Sequence, residues 1–358
     1  MLVFLISTLT ALVLSLGFTP LMIAASRKFK IMDMPNPRKA HSEPMPLMGG
    51  VAIFLATIAA TVIFIVFFVD GLKLNIVIAF LIGISGVTMM GLIDDILSLS
   101  AKRRLVILFI LALIVLIGCL QFYFPKTLLH SNLGLALLIS FIVVIWIVGI
   151  TNAMNLTDGL DGLASSLSLV SVAGFALIFY LQGRSQLALP TALALFGAIA
   201  GFLPYNLSPA KIFMGDAGSM FIGFMLGILS IMSMSEKPIE FFVVPVFLIL
   251  MPILDMAMSI LRRLLLHRPI MQPDKLHFHH ILNKRFKSHR IVVMLLAACQ
   301  IVFSGIGIIL YITEWFAVGF ILLGCIALAA ILYSVATARR VRRESPQSPE
   351  AALAEPPK

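Results

Sequence analysis

The stretch Asn152-Ala153-Met154-Asn155-Leu156-Thr157-Asp158-Gly159-Leu160-Asp161-Gly162 joins an apolar run ending at Thr151 to another beginning at Leu163. It holds two aspartates, two asparagines and two glycines. Hard oxygens at this density suit a divalent cation or a nucleotide, and the glycines let the backbone turn closely. A plain polar turn with helix-capping residues is the simpler reading, but it needs only one or two such side chains.

Four further stretches carry groups of the same kind. Asp94 and Asp95 emerge together at the end of an apolar run, and adjacent carboxylates near low dielectric call for a cation or a proton. Lys102-Arg103-Arg104 follow, suited to an anionic headgroup. Phe213-Met214-Gly215-Asp216-Ala217-Gly218-Ser219 opens another run; Asp216 there is either a helix cap or a metal ligand beside phosphate-binding backbone N–H groups. Asp274-Lys275-Leu276-His277-Phe278-His279-His280 lies in a loop with Arg262, Arg263, Arg268, Lys284, Arg285, Lys287, His289 and Arg290. Three histidines suggest zinc, but the surrounding oxygen donors favour magnesium or manganese and leave the histidines to phosphate, sugar or loop organisation. The first loop holds Asp33, Pro35, Arg38, Lys39, His41 and Gly49-Gly50; its cations fit phosphate, or anionic lipid. Asp255, two turns before Arg262, is either a structural partner of nearby polar groups or a site residue. Acids for a divalent cation, cations for phosphates and an aromatic for a base are the equipment of phosphoryl transfer. Neither a Ser-His-Asp order nor a Walker glycine loop is evident.

The elements that must position these groups are membrane helices. The 358 residues are 61% hydrophobic and 12% charged, and apolar runs of about 20 residues recur, so the class is an all-α polytopic membrane protein. The runs predict eleven spans: 2–25, 48–69, 75–93, 104–124, 133–151, 163–181, 187–203, 217–234, 241–261, 291–312 and 316–336. The first lacks a basic start and is read as a retained helix rather than a signal peptide. With the N-terminus outside, only Lys73, Lys126, Arg184 and Lys237 of the 26 lysines and arginines fall on the outer side. That bias places the polar loops and the C-terminus in the cytoplasm, and makes the net charge of +10 a record of orientation rather than of nucleic-acid binding. Residues 1–338 form the membrane domain, and 339–358 a tail that is basic and then disordered. Cys119, Cys299 and Cys325 lie in apolar segments and read as small hydrophobes. A nucleotide-sugar transporter is the rival class, but neither inverted repeats nor broken helix pairs are evident.

In order along the chain, Asp33…Pro35…Arg38…His41…Gly49-Gly50, Asp94-Asp95, the Asn155–Gly162 stretch, the Phe213–Ser219 stretch and His277-Phe278-His279-His280 resemble the five motifs of the polyprenyl-phosphate N-acetylhexosamine-1-phosphate transferases. The resemblance spans the first inner loop to His280. Where the peptidoglycan branch has three consecutive histidines followed by Phe-Glu, Phe278 interrupts them here and Ile281-Leu282 follow, as in the branch that uses UDP-N-acetylglucosamine. The resemblance implies transfer of GlcNAc-1-phosphate from UDP-GlcNAc to undecaprenyl phosphate in the bacterial inner membrane, starting O-antigen or enterobacterial-common-antigen lipids. The same chemistry on another UDP-N-acetylhexosamine or on UDP-MurNAc-pentapeptide is the near alternative. It further implies Mg²⁺ (or Mn²⁺) on Asp216 and Asn155, and Phe213 stacked on uracil with Leu156, Asp158, Asp161 and Asn206 around the nucleoside. Asp94, Asp95, Lys102 and Arg104 would stand at the lipid phosphate. His277, His279, His280 and Arg262 would stand at the pyrophosphate or sugar, with Asp33, Lys39 and His41 in the pocket. Asp94, Asp95, Asp158, Asp161 and Asp216 are thus the expected catalytic acids, and a homodimer is compatible with the resemblance.

Overall fold

A computed structural model describes residues 2–35, 43–69, 71–123, 133–184, 186–234, 242–269 and 277–344. Its helices are α1 (Leu2–Phe29), α2 (Gly49–Phe68), α3 (Leu74–Leu97), α4 (Ala101–Tyr123), α5 (Leu133–Thr157), α6 (Leu163–Leu181) and α7 (Ala188–Asn206). After these come α8 (Gly215–Met232), α9 (Val243–Leu248), α10 (Leu250–Leu265), α11 (Phe278–Phe286), α12 (His289–Thr313) and α13 (Phe316–Glu344). The only strands among the described residues are β1 (Met32–Asp33) and β2 (Met45–Pro46), an antiparallel pair with Met32 opposite Pro46 and Asp33 opposite Met45. Among the described residues nine helices (α1, α2, α3, α5, α6, α7, α8, α12 and α13) are long and apolar enough to cross a membrane. The chain is an all-α, multi-pass membrane protein. The expected fourth span corresponds to α4, and the expected ninth to the α9–α10 pair.

Helices run past the edges that hydropathy assigns. α5 continues through Asn152 and Asn155 to Thr157, so the expected loop 152–162 shrinks to 158–162. Polar side chains are no bar to a helix whose backbone is already bonded. Asn152 Nδ2 donates to Val148 O (2.8 Å) and Thr157 Oγ1 to Ala153 O (2.8 Å), each satisfied one turn back on its own helix. Helix α13 likewise carries Arg339 to Arg343 in helical form, while the tail from 345 lies outside the described residues.

Helix α8 is the centre of the packing. Every one of its residues is buried except Asp216, and α2, α3 and α5 pack around it. Between lipid-solvated helices, close backbone approach replaces the hydrophobic drive that folds soluble bundles. Gly50 of α2 meets Gly218 of α8 with no room for a Cβ on Gly50, and a Cβ on Gly91 of α3 would stand 2.5 Å from Ala217 Cα. These approaches draw the ends of α2, α3 and α8 that carry the polar motifs to one place.

The expected ninth span is broken, contrary to the expectation of unbroken helices. Pro252 has no N–H to give the Leu248 carbonyl, and Ile249 leaves the helical region between α9 and α10. Buried Gln300 of α12 takes over these bonds. Its Nε2 donates to Leu248 O (2.7 Å) and Phe247 O (3.4 Å), and its Oε1 accepts from Met251 N (3.1 Å). A break at membrane depth is tolerated when another helix satisfies the freed backbone in this way.

Candidate active site

The site is built where the last turn of α3 meets the first turn of α8. Buried Asp94 accepts from Leu99 N (2.6 Å) and from Arg104 Nη1 (2.8 Å), closing the turn from α3 to α4. Asp95 accepts from Asp216 N (2.8 Å) and Ala217 N (3.1 Å), so the first N–H groups of α8 are capped by a carboxylate from α3. The turn into α8 needs glycine at 215. Its φ is +69°, and a Cβ there would lie 2.6 Å from both Asp95 Oδ2 and Leu47 O. Asp216 is therefore not its own helix cap, and the N–H groups of Asp216 and Ala217 are already taken by Asp95. Its side chain faces outward, with Oδ1 2.7 Å from Asn155 Nδ2 and Oδ2 3.6 Å from Arg104 Nη1.

The wall opposite comes from the 158–162 loop and the segment after α7. Asp161 Oδ2 accepts from Ala210 N (3.2 Å). Asn206 is buried and engaged, accepting from Ser165 Oγ (2.7 Å) and donating to Ile212 O (3.1 Å). Phe213 is held by its backbone, its N bonded to Pro46 O (2.9 Å) and its O to Gly49 N (3.1 Å). Asp158 has no hydrogen-bond or ion-pair partner among the described residues. Burial, and then the charges of Asp216 and Asp161, push its carboxyl up to about 7.

These walls enclose a cavity of about 530 Å³ lined by Asp33, Asp94, Asp95, Asn155, Asp158, Asp161, Asn206, Phe213 and Asp216. Ser98, Gly159, Leu160, Gly215, Leu47 and His289 complete the lining. Of these, His289 is the one with chemistry that the motifs passed over. It is the first residue of α12, and no local pattern separates it from the cations around it. Arg104 reaches the cluster through Asp94 and Asp216 without lining the cavity.

Other expected members stand elsewhere. Lys102 is exposed on α4, Leu156 is half-buried on α5, and Arg262 is buried in α10; none lines the cavity. His277 and His279 are buried, each with Nδ1 3.3 Å from Asp255 Oδ2, while Phe278 N donates to Asp255 Oδ1 (2.7 Å). They face α10 rather than the cavity because one buried carboxylate gathers all three donors. His280 is half-buried, and burial, then His279 and His277, hold its imidazole down at about 4, so it is neutral near pH 7. Lys39, His41 and the Asp274-Lys275-Leu276 start of the histidine motif lie outside the described residues.

As to metal, the donors at the cavity are carboxylate and amide oxygens, the set a hard cation takes. Among the described residues no three acidic, cysteine or histidine side chains converge as a metal cage. The donor set fits a cation held by one or two side chains and completed by substrate phosphates, the usual habit of magnesium.

Residues 77–234 match the family model described as glycosyl transferase family 4. The chain is 37% identical over 309 residues to a Bacillus subtilis (strain 168) protein named "Probable undecaprenyl-phosphate N-acetylglucosaminyl 1-phosphate transferase", covering 86% of this chain and 84% of that one. The chain belongs to glycosyl transferase family 4. It is also 32% identical over 252 residues to the phospho-N-acetylmuramoyl-pentapeptide-transferase of Staphylococcus aureus (strain MSSA476), covering 65% of this chain and 77% of that one. The segment matched to family 4 contains every cavity residue named above except Asp33, Leu47 and His289.

Proposed function

We propose that this family 4 protein transfers GlcNAc-1-phosphate from UDP-GlcNAc to undecaprenyl phosphate, giving GlcNAc-pyrophosphoryl-undecaprenol and UMP. The observation that carries the reading is an acid-lined cavity at one end of a membrane helix bundle, where Asp158, without a hydrogen-bond or ion-pair partner among the described residues, shares the wall with the outward-facing Asp216. A reaction between a water-soluble nucleotide sugar and a membrane lipid needs such an opening at the bilayer edge. The name of the Bacillus subtilis relative supports the same sugar and acceptor. The positive-inside bias supports eleven spans with the N-terminus outside, the C-terminus inside and the cavity open to the cytoplasm.

In this reading an oxygen of the lipid phosphate attacks the sugar-linked phosphorus of UDP-GlcNAc. The pyrophosphate P–O bond breaks, and UMP leaves with the bridging oxygen. A phosphate monoester has a second pKa of about 6, so the nucleophile is largely dianionic at neutral pH and a single displacement needs no strong base. Asp216 and Asn155 would hold Mg²⁺, which when bound takes up charge on the pyrophosphate. Asp158 adds negative charge toward that ion. Arg104, set between Asp94 and Asp216, offsets charge at the acceptor side. Phe213, fixed by its own backbone, presents a ring for the uracil.

The test is an assay in detergent micelles with radiolabelled UDP-GlcNAc, undecaprenyl phosphate and Mg²⁺. Labelled lipid and UMP should form, stop on addition of EDTA, and be absent with folded Asp216→Ala protein. Product with UDP-MurNAc-pentapeptide but not with UDP-GlcNAc would keep the chemistry and move the donor. No product with any donor, from folded protein that binds UDP-sugar, would point to transport.

A further inference from the structure

Behind the 158–162 loop, away from the cavity, lies a buried polar group that the transfer mechanism leaves unused. Asp255 of α10 takes three donors on one carboxylate: Nδ1 of His277 and of His279 at Oδ2, and Phe278 N at Oδ1. Acceptance from both rings fixes a proton on Nδ1 of each, which sets their orientation and turns Nε2 the other way. For His279 that other way is Gly159. A Cβ on Gly159 would collide with His279 Nε2, so the imidazole edge rests against the loop backbone one residue from Asp158. His279 Nε2 is fully buried and has no hydrogen-bond partner among the described residues. The next loop residue, Leu160, is buried with Leu163, Leu167, Met251, Val292 and Leu296, an apolar cluster on which Phe278 packs. The loop is therefore backed by one apolar anchor at Leu160 and one polar stop at His279, and the stop is held in place by Asp255.

We propose that Asp255 is a positioning residue: through His279 and Gly159 it sets the height of the 158–162 loop, and so the placement of Asp158 in the cavity. The inference rests on the phosphosugar-transfer reading for its kinetic consequence, and on geometry alone for its structural one. Asp255 touches no substrate in this scheme. Asparagine at 255 keeps the shape but replaces one acceptor oxygen with an NH₂ that faces a donor, so either that donor swings away or a histidine switches tautomer, which for His279 puts the proton on Nε2 against Gly159. Gly159→Ala perturbs the same contact from the opposite side, by pushing the imidazole back.

The experiment uses the full-length protein in detergent with Asp255→Asn, Gly159→Ala and the double variant. By analogy with residues that orient catalytic ligands, each single substitution should lower kcat roughly 10- to 100-fold, with the KM for UDP-GlcNAc changed far less. Because both act through one contact, the double variant should be no slower than the worse single one. Hydrogen exchange of the peptide covering 158–162 should speed up in each variant, while the apolar spans keep their protection. Losses that multiply in the double variant, or an Asp255→Asn loop that exchanges at the wild-type rate, would overturn the proposal. If Asp255→Asn does not fold, Gly159→Ala carries the same test from the exposed side. If the wild type makes no labelled lipid, the transfer reading fails, and the exchange data still decide the positioning role.

Discussion

Asp95 is the residue on which a structural and a chemical reading part most sharply, and Asp95→Ala separates them. Its two oxygens accept from Asp216 N at 2.8 Å and Ala217 N at 3.1 Å, so it closes the N-terminus of a helix buried at every residue but Asp216. An intramolecular hydrogen bond contributes about 0.5–1.5 kcal/mol net, but a buried N–H left without an acceptor costs about 1–3 kcal/mol. Against this stands the desolvation of a half-buried carboxylate at the edge of an open cavity, which water partly relieves. What truncation costs is the two N–H groups it strands, about 1–3 kcal/mol each less what cavity water recovers, so about 3 kcal/mol in all; Asn, which keeps one acceptor, should cost about half as much. At about 2–4 °C per kcal/mol for a chain of a few hundred residues, Asp95→Ala should unfold about 6–12 °C below wild type. The assay is thermal unfolding in one detergent, with turnover measured on the same samples well below the transition. Graded losses in the order wild type, Asn, Ala support the cap. An Asp95→Ala protein that unfolds with wild type but has lost turnover would refute it and return Asp95 to the reacting groups.

Asp158 should behave in the opposite way. Its folded-state carboxyl is raised from 3.8 to about 7, so between those values the fold holds a proton that the unfolded chain has released. Stability therefore falls as pH rises through that window, and levels off above it. In EDTA, Asp158→Asn should unfold at a higher temperature than wild type at pH 8, with the gap closing towards pH 4, while its turnover assayed separately with Mg²⁺ is lost; a lower unfolding temperature at pH 8 would sink the reasoning. Gln300→Leu should destabilise by about 2–5 kcal/mol, since it strands the Leu248 carbonyl and Met251 N–H in an apolar interior. Scanning calorimetry of purified protein measures this loss, and a change under about 0.5 kcal/mol would mean the break is satisfied otherwise.

Class and element order were legible because transfer of apolar side chains dominates the energetics of a membrane helix, and that term can be read residue by residue. Helix ends were less so. Asn152, Asn155 and Thr157 look like loop to a hydropathy reading, yet two of them bond back to their own helix and the third reaches Ser219 and Asp216 across to α8. The break at Ile249 was hidden for a related reason. Pro252 can sit in a kinked helix or end one, and the outcome depends on Gln300, 48 residues away in sequence from Pro252.

The candidate site divides in the same manner. Residue type told which side chains carry charge, but not on what that charge is spent. Six carboxylates line the cavity, and protein donors engage them unequally. Asp94 is engaged by Leu99 N and Arg104, Asp95 by the start of α8, and Asp161 by Ala210 N. Asp216 is shared between Asn155 and Arg104, and Asp158 has no partner among the described residues. The carboxylates bonded to backbone N–H groups shape the walls, and the excess negative charge is left at Asp158 and Asp216. A pair of acids compensated so lightly is unstable in a half-buried wall by itself, but it complements a cation that arrives with a pyrophosphate. On that division, the acids that hold the walls should be read out in stability and the acids left over in turnover, and the contrast between Asp95 and Asp158 is where the two can be told apart.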